Sequence, residues 1–88
     1  MSYKILLHPK ANKFLEKSDQ DLTKRIKEKL KELESDPKKG KVLSGSEFRR
    51  LRIGDYRAIY ELNKEDEKAI VLFIGHRKNV YDDFSKLV

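Results

Sequence analysis

Three closely spaced arginines could together bind a polyanion. Arg50, Arg52 and Arg57 lie in the segment FRRLRIGDYRAIY, residues 48–60, on either side of a Gly-Asp pair that is typical of a two-residue hairpin turn. In that hairpin Arg52 lies opposite Arg57, and strand alternation puts Arg50 on the same face. Because like charges directly opposite each other destabilise a sheet, we expect an anion between them. Guanidinium groups suit a phosphate, which they can hold through paired hydrogen bonds.

A second group of candidates follows the last predicted strand. The apolar run AIVLFI, residues 69–74, is typical of a strand buried on both faces, and it leads directly into His76, Arg77 and Lys78. Arginine stays protonated and is a poor proton carrier, so proton transfer would fall to His76 or to Tyr81. The pKa of a tyrosine, near 10, would have to fall for this, and neighbouring guanidinium groups act in that direction.

Each of these residues also has an ordinary structural interpretation. Arginines on one side of a hairpin can form a solvated sheet face. An arginine after a buried strand, here Arg77, can pair with a nearby carboxylate. Tyr81 can pack against the core, as aromatic residues on terminal helices often do, and His76 can be satisfied locally at the strand end.

The elements that would position these residues predict an α+β fold. In order, they are a strand over 3–8, a helix over 10–17 opened by Pro9, a helix from about 18 to 35, the arginine hairpin, a strand over 69–74 and a short helix capped by Asn79. Residues 41–47 are predicted to be a linker. We expect an N-terminal strand, an αα-hairpin on one side of a three-stranded antiparallel meander, and a sheet face left free for function.

Length and composition limit the possible functions. The chain has 88 residues, which is typical of a single domain spanning residues 1–88. Its net charge of +6 favours an acidic partner such as nucleic acid or an acidic protein. It has no cysteine and 2 histidines far apart, so we expect no disulfide, no metal site and no cofactor. No apolar run is long enough to span a membrane and no signal peptide is visible, which favours the cytoplasm.

Two segments and the order of elements resemble the RelE/ParE toxin superfamily over nearly the whole chain. They are LSGSEFRRLRIGDYRAIYEL, residues 43–62, and GHRKNVYDDF, residues 75–84. The resemblance implies the toxin of a toxin–antitoxin pair with an acidic antitoxin. RelE-like members cut messenger RNA in the ribosomal A site, whereas ParE members share the fold and poison DNA gyrase. We therefore predict three catalytic residues, Arg57, Arg77 and Tyr81, and four that bind RNA or phosphate, Arg50, Arg52, His76 and Lys78.

Three functions are compatible with the resemblance. The first is a ribosome-dependent mRNA endoribonuclease that uses the adjacent 2′-hydroxyl as nucleophile without a metal. The second is a gyrase inhibitor of the ParE kind. The third is an RNA-binding member that has lost catalysis, suggested by Phe48, which stands where some RelE proteins carry a further lysine.

Overall fold

A computed structural model describes residues 2–43 and 47–79, and these form a five-stranded sheet with two helices. The strands are β1 (Lys4–Leu7), β2 (Lys41–Val42), β3 (Phe48–Ile53), β4 (Tyr56–Asn63) and β5 (Lys68–His76). The helices are α1 (Pro9–Lys17) and α2 (Gln20–Lys31), and a 3₁₀ turn over Glu32–Glu34 follows α2. The α+β class is confirmed. Tyr81 and the predicted C-terminal helix lie outside the described residues.

The sheet has the order β1-β5-β4-β3-β2, in which β1 runs parallel to β5 and the other neighbours are antiparallel. The predicted hairpin register is confirmed, with Arg52 opposite Arg57 and Ile53 opposite Tyr56. Gly54 occupies the first central position of the turn at φ 60°, a conformation that glycine adopts without strain. The turn therefore places the arginines as expected.

The prediction of a linker over residues 41–47 is wrong at its start. Lys41 and Val42 form β2, which pairs with Arg50 and Arg49 of β3, so the antiparallel part has four strands instead of three. Two residues are too few to show the alternation that marks a strand in a sequence. Because Lys41 is the cross-strand partner of Arg50, it lies on the same sheet face.

Both helices have capping hydrogen bonds at their N-termini. Pro9 is the first residue of α1, where its missing N–H is not needed, and Nδ1 of His8 accepts a hydrogen bond from the Lys10 N–H at 3.2 Å. At α2 the Asp19 carboxylate accepts from the Leu22 N–H at 2.8 Å. No helix in the described part of the chain is long and apolar enough to cross a membrane.

The helices cover one face of the sheet and bury the main core there. Its fully buried members include Ile26 and Leu33 from the helical side and Tyr60 and Val71 from the sheet. The opposite face carries a smaller apolar cluster, in which Leu43, Phe48 and Leu72 pack around Ile59 and Phe73. This second face also carries the arginines, so it is the candidate for function.

Candidate functional site

A basic cleft lies on the sheet face that the helices leave uncovered. Its volume is about 330 Å³, and it is lined by Lys39, Gly40, Lys41, Arg50, Leu51, Arg52 and Arg57. No acidic side chain is among the described residues that line it. The hairpin register holds Arg52 and Arg57 directly opposite each other, with Lys41 paired to Arg50 one strand further out. Five cations thus lie together on one surface, which suits a ligand with several negative charges.

The Arg57 side chain is held by two hydrogen bonds to the hairpin turn. Its Nη1 donates to the carbonyl oxygens of Gly54 and Tyr56, each at 2.8 Å. The two carbonyl dipoles relieve part of the repulsion between Arg57 and Arg52, a compensation that the sequence did not reveal. The Arg52 side chain is exposed and makes no hydrogen bond or ion pair with another described residue. Its charge is therefore available to a ligand.

The turn after β5 is joined to the hairpin turn. The Arg77 N–H donates to the Asp55 carbonyl oxygen at 2.9 Å, which places the backbone of Arg77 beside the turn that also orders Arg57. Arg77 and Lys78 are both exposed. The structure thus brings the backbone of Arg77, from the second predicted group, next to the hairpin turn, while the predicted catalytic Tyr81 lies beyond the described residues.

His76 is not brought to the arginines. It is the cross-strand partner of Tyr56, and the two rings contact each other edge to face with centroids 5.6 Å apart. Tyr56 in turn packs against Phe14 of α1 at 6.0 Å, so His76 lies on the helix-covered side of the sheet. Its Nδ1 accepts from the Lys78 N–H at 3.2 Å.

The prediction from sequence missed two members of the cleft, Lys39 and Lys41. They belong to the run KKGK after α2, and its basic character was the signal that could have identified them. The Lys39 ammonium donates to the Glu32 carboxylate, which also pairs with Lys29 at 3.5 Å. The hydrogen bond lowers the pKa of Glu32 and raises that of Lys39. Lys41 is exposed, and its ammonium group makes no hydrogen bond or ion pair with another described residue.

A buried tyrosine supports the loop that carries these lysines. The Tyr60 hydroxyl donates to the Pro37 carbonyl oxygen at 2.8 Å and accepts from the Gly40 N–H at 2.9 Å. Burial raises the pKa of Tyr60 above its ordinary 10.0, although the Gly40 hydrogen bond and the Arg49 charge act in the opposite direction. The loop is thereby fixed to the centre of the sheet by a neutral phenol.

Because the pKa of Tyr60 is raised in the folded state, we expect the stability of the protein to fall at alkaline pH. A folded-state pKa above the unfolded value gives a contribution that is complete below the unfolded pKa and is lost as the pH rises through the folded one. We therefore expect urea denaturation between about pH 9 and pH 11 to show a steeper loss of stability for the wild type than for Tyr60→Phe. Tyr56→Phe is the matched control, since the Tyr56 hydroxyl makes no hydrogen bond with the described residues, and it should decline like the wild type. An equally steep decline in Tyr60→Phe would contradict the assignment.

Two of three comparisons with known proteins found matches. A family model described as the ParE toxin of the type II toxin–antitoxin system parDE matches residues 5–81. A comparison with curated protein sequences found no match.

Three solved structures illustrate the likeness in fold. The chain is 29% identical to a protein in the archaeal RelE–RelB complex from Pyrococcus horikoshii OT3, covering 88% of this chain and 97% of that one, with a TM-score of 0.74. In the RelB–RelE antitoxin–toxin complex from Methanococcus jannaschii the identity is 28%, the coverage 90% and 98%, and the TM-score 0.69. A mutant of the E. coli toxin RelE in the free state has a TM-score of 0.80 at 23% identity, with coverage of 100% and 99%.

Proposed function

This chain belongs to the ParE toxin family of type II toxin–antitoxin systems, in the RelE-like branch of the RelE/ParE superfamily, and from this we propose that it cleaves messenger RNA on the ribosome. The observation that carries the proposal is the cleft of five basic side chains on the uncovered sheet face. An RNA backbone is a polyanion of the kind that such a cleft would bind.

The proposed reaction is attack by a ribose 2′-hydroxyl on the adjacent phosphate. The 2′-oxygen bonds to phosphorus, the bond from phosphorus to the 5′-oxygen breaks, and a 2′,3′-cyclic phosphate and a 5′-hydroxyl result. Arg57 and Arg77 would neutralise the charge that builds up on the phosphate oxygens, and Tyr81 would accept the 2′-hydroxyl proton. The 5′-oxygen leaves as an alcohol after taking up a proton. A ribosome that holds the RNA in line would supply much of the geometry.

The remaining predicted residues would bind the RNA backbone. Arg50 and Arg52 line the cleft and would contact phosphates on either side of the reacting one. Lys78 is exposed at the turn after β5, where a strand of RNA leaving Arg77 could reach it. For His76, which lies beside Tyr56, the proposed contact requires RNA to pass around the end of β5.

We propose an acidic antitoxin as the protein partner. The similar proteins from Pyrococcus horikoshii and Methanococcus jannaschii were solved in complexes of RelE with RelB. An acidic segment laid over the basic cleft would neutralise its charge and exclude RNA from it.

One observation favours a second candidate, an RNA-binding protein without catalysis. Phe48 is half-buried in the apolar cluster around Ile59 and Phe73, so the position where some RelE proteins carry a lysine serves packing here. If that lysine is indispensable, binding would remain and cleavage would be lost.

The experiment that tests the proposal maps the 5′ ends of messenger RNA by primer extension in a translating extract. We expect new ends inside codons when the purified protein is added, and none when the same RNA is incubated without ribosomes. Intact messenger RNA together with retained RNA binding would favour the second candidate. Intact messenger RNA together with inhibition of purified gyrase would identify a ParE-like mode of action.

A further inference from the structure

We propose that the loop Pro37–Lys41 forms a second phosphate-binding subsite, in which Lys39 and Lys41 contact the RNA backbone and Arg49 and Tyr60 hold the loop in place. That the ligand is RNA rests on the proposed function. The subsite would extend the contact surface from the arginine hairpin across β3 to the loop beyond it.

Two cross-strand partners hold the loop. Arg49 and Tyr60 lie opposite each other on β3 and β4, and both reach the loop from the helix-covered side of the sheet. The Arg49 Nη1 donates to the Gly40 carbonyl oxygen at 3.0 Å and to the Lys38 carbonyl oxygen at 3.4 Å. The Tyr60 hydroxyl adds two hydrogen bonds, to the backbones of Pro37 and Gly40. Among residues 37–40, only the backbone of Lys39 makes no hydrogen bond to Arg49 or Tyr60.

Gly40 makes the close approach possible. A Cβ atom at this position would lie 2.7 Å from both the Arg50 carbonyl oxygen and the Tyr60 hydroxyl oxygen, which is shorter than real contacts allow. The loop therefore lies against the strands at van der Waals distance instead of extending into solvent. Arg49 and Tyr60 are positioning residues in this arrangement, since neither lines the cleft.

The anchored loop places its two lysines on the ligand side. Lys41 pairs with Arg50 in the sheet register, and Lys39 lines the same cleft on the other side of Gly40. A backbone with one phosphate between Arg52 and Arg57 could place a neighbouring phosphate near Lys41. The repeating charge of a nucleic acid matches this row of cations, whereas a single inorganic anion could contact only part of it.

Glu32 limits how strongly Lys39 can bind a phosphate. The Glu32 carboxylate accepts a hydrogen bond from the Lys39 ammonium and would compete with a phosphate for it. Glu32→Gln should therefore strengthen RNA binding. Glu28→Gln is the matched control, because it removes the same charge from an exposed position on α2 outside the cleft.

The test measures equilibrium binding of a short single-stranded RNA with 2′-O-methyl ribose throughout, which cannot undergo 2′-hydroxyl attack. Each phosphate contact contributes about 0.7 to the slope of log affinity against log salt concentration for a single strand. We expect Lys39→Ala/Lys41→Ala to lower the magnitude of this slope by about 1.4. Lys24→Ala/Lys27→Ala makes the same change of charge on the exposed face of α2 and should leave the slope nearly unchanged.

The role of Tyr60 is tested by combining variants. Tyr60→Phe keeps the buried ring and removes only the hydroxyl, and it should reduce affinity in the wild type but not in the Lys39→Ala/Lys41→Ala background. A purely structural role would reduce affinity equally in both backgrounds and would overturn the positioning assignment.

The outcomes separate this subsite from the proposed function. If Arg52→Ala weakens binding while Lys39→Ala/Lys41→Ala changes neither affinity nor slope, the subsite does not exist and the arginine site stands. If neither variant weakens binding, both proposals fail. If the lysine variant lowers the slope and the messenger RNA in a translating extract remains intact, the subsite stands and catalysis does not.

Discussion

Arg57→Ala is expected to slow messenger RNA cleavage on the ribosome by a factor of about 10²–10³, the usual cost of removing one group that stabilises developing charge. Arg57 is selected because its guanidinium is already ordered by the Gly54 and Tyr56 carbonyl oxygens and lies opposite Arg52. A cation fixed in advance needs no rearrangement as the phosphate gains charge. The measurement is the single-turnover cleavage rate of a ribosome-bound message.

The controls separate charge from general effects. Arg25→Ala removes an arginine from the exposed face of α2 and should cleave at the wild-type rate. Arg57→Lys keeps the charge but loses the planar fork, so it should fall between the wild type and Arg57→Ala. Wild-type rates in Arg57→Ala, with its thermal stability unchanged, would remove Arg57 from the catalytic set.

Ile26→Ala is expected to lower the free energy of unfolding by about 2–5 kcal/mol, as for other large aliphatic side chains deleted from a packed core. Ile26 has 0% exposure and belongs to the main core between the helices and the sheet. Small domains have a total stability of about 5–15 kcal/mol, so this loss would remove a large part of it. Urea denaturation followed by circular dichroism measures the change.

Val42→Ala is the matched comparison for a small aliphatic deletion at the surface. Val42 is 54% exposed at the edge of the sheet, and its truncation should cost no more than about 0.5 kcal/mol. If Ile26→Ala lowers the free energy of unfolding no more than Val42→Ala does, α2 contributes little to the core, contrary to the packing described above.

The arginine hairpin was the most predictable part of the structure. A two-residue turn at Gly54-Asp55 determines the pairing of every following residue, so the faces of Arg50, Arg52 and Arg57 followed from simple alternation. The helices were predictable for a similar reason, because Pro9 and Asp19 give local start signals that do not depend on the rest of the fold.

Features that depend on tertiary contacts could not be predicted in this way. The pairing of β5 with β4 shifts between Ile59 and Tyr60, which turns Phe73 to the open face and leaves Val71 and Ile74 in the main core. A continuous apolar run hides such a shift, because every position is equally apolar. The same shift sets which face His76 occupies.

The loop lysines were missed because their placement depends on residues far away in the sequence. Nothing in the run KKGK shows that Tyr60 and Arg49 will fix its backbone to the sheet. Similarly, the hydrogen bonds of Arg57 to the Gly54 and Tyr56 carbonyl oxygens require the folded turn. Charge could be read from the sequence, but the partners of each charge could not.

The parallel pairing of β1 with β5 has a consequence for the biosynthesis of the protein. β1 is the first of the described strands to leave the ribosome, and β5, its neighbour in the sheet, is the last. Synthesis proceeds from the N-terminus, so the nascent chain must keep β1 unpaired until β5 has been translated. The arginine hairpin can close earlier, but the turn that brings Arg77 beside Asp55 follows β5. The hydrogen bond that joins Arg77 to the hairpin turn therefore cannot form on a nascent chain that ends before β5.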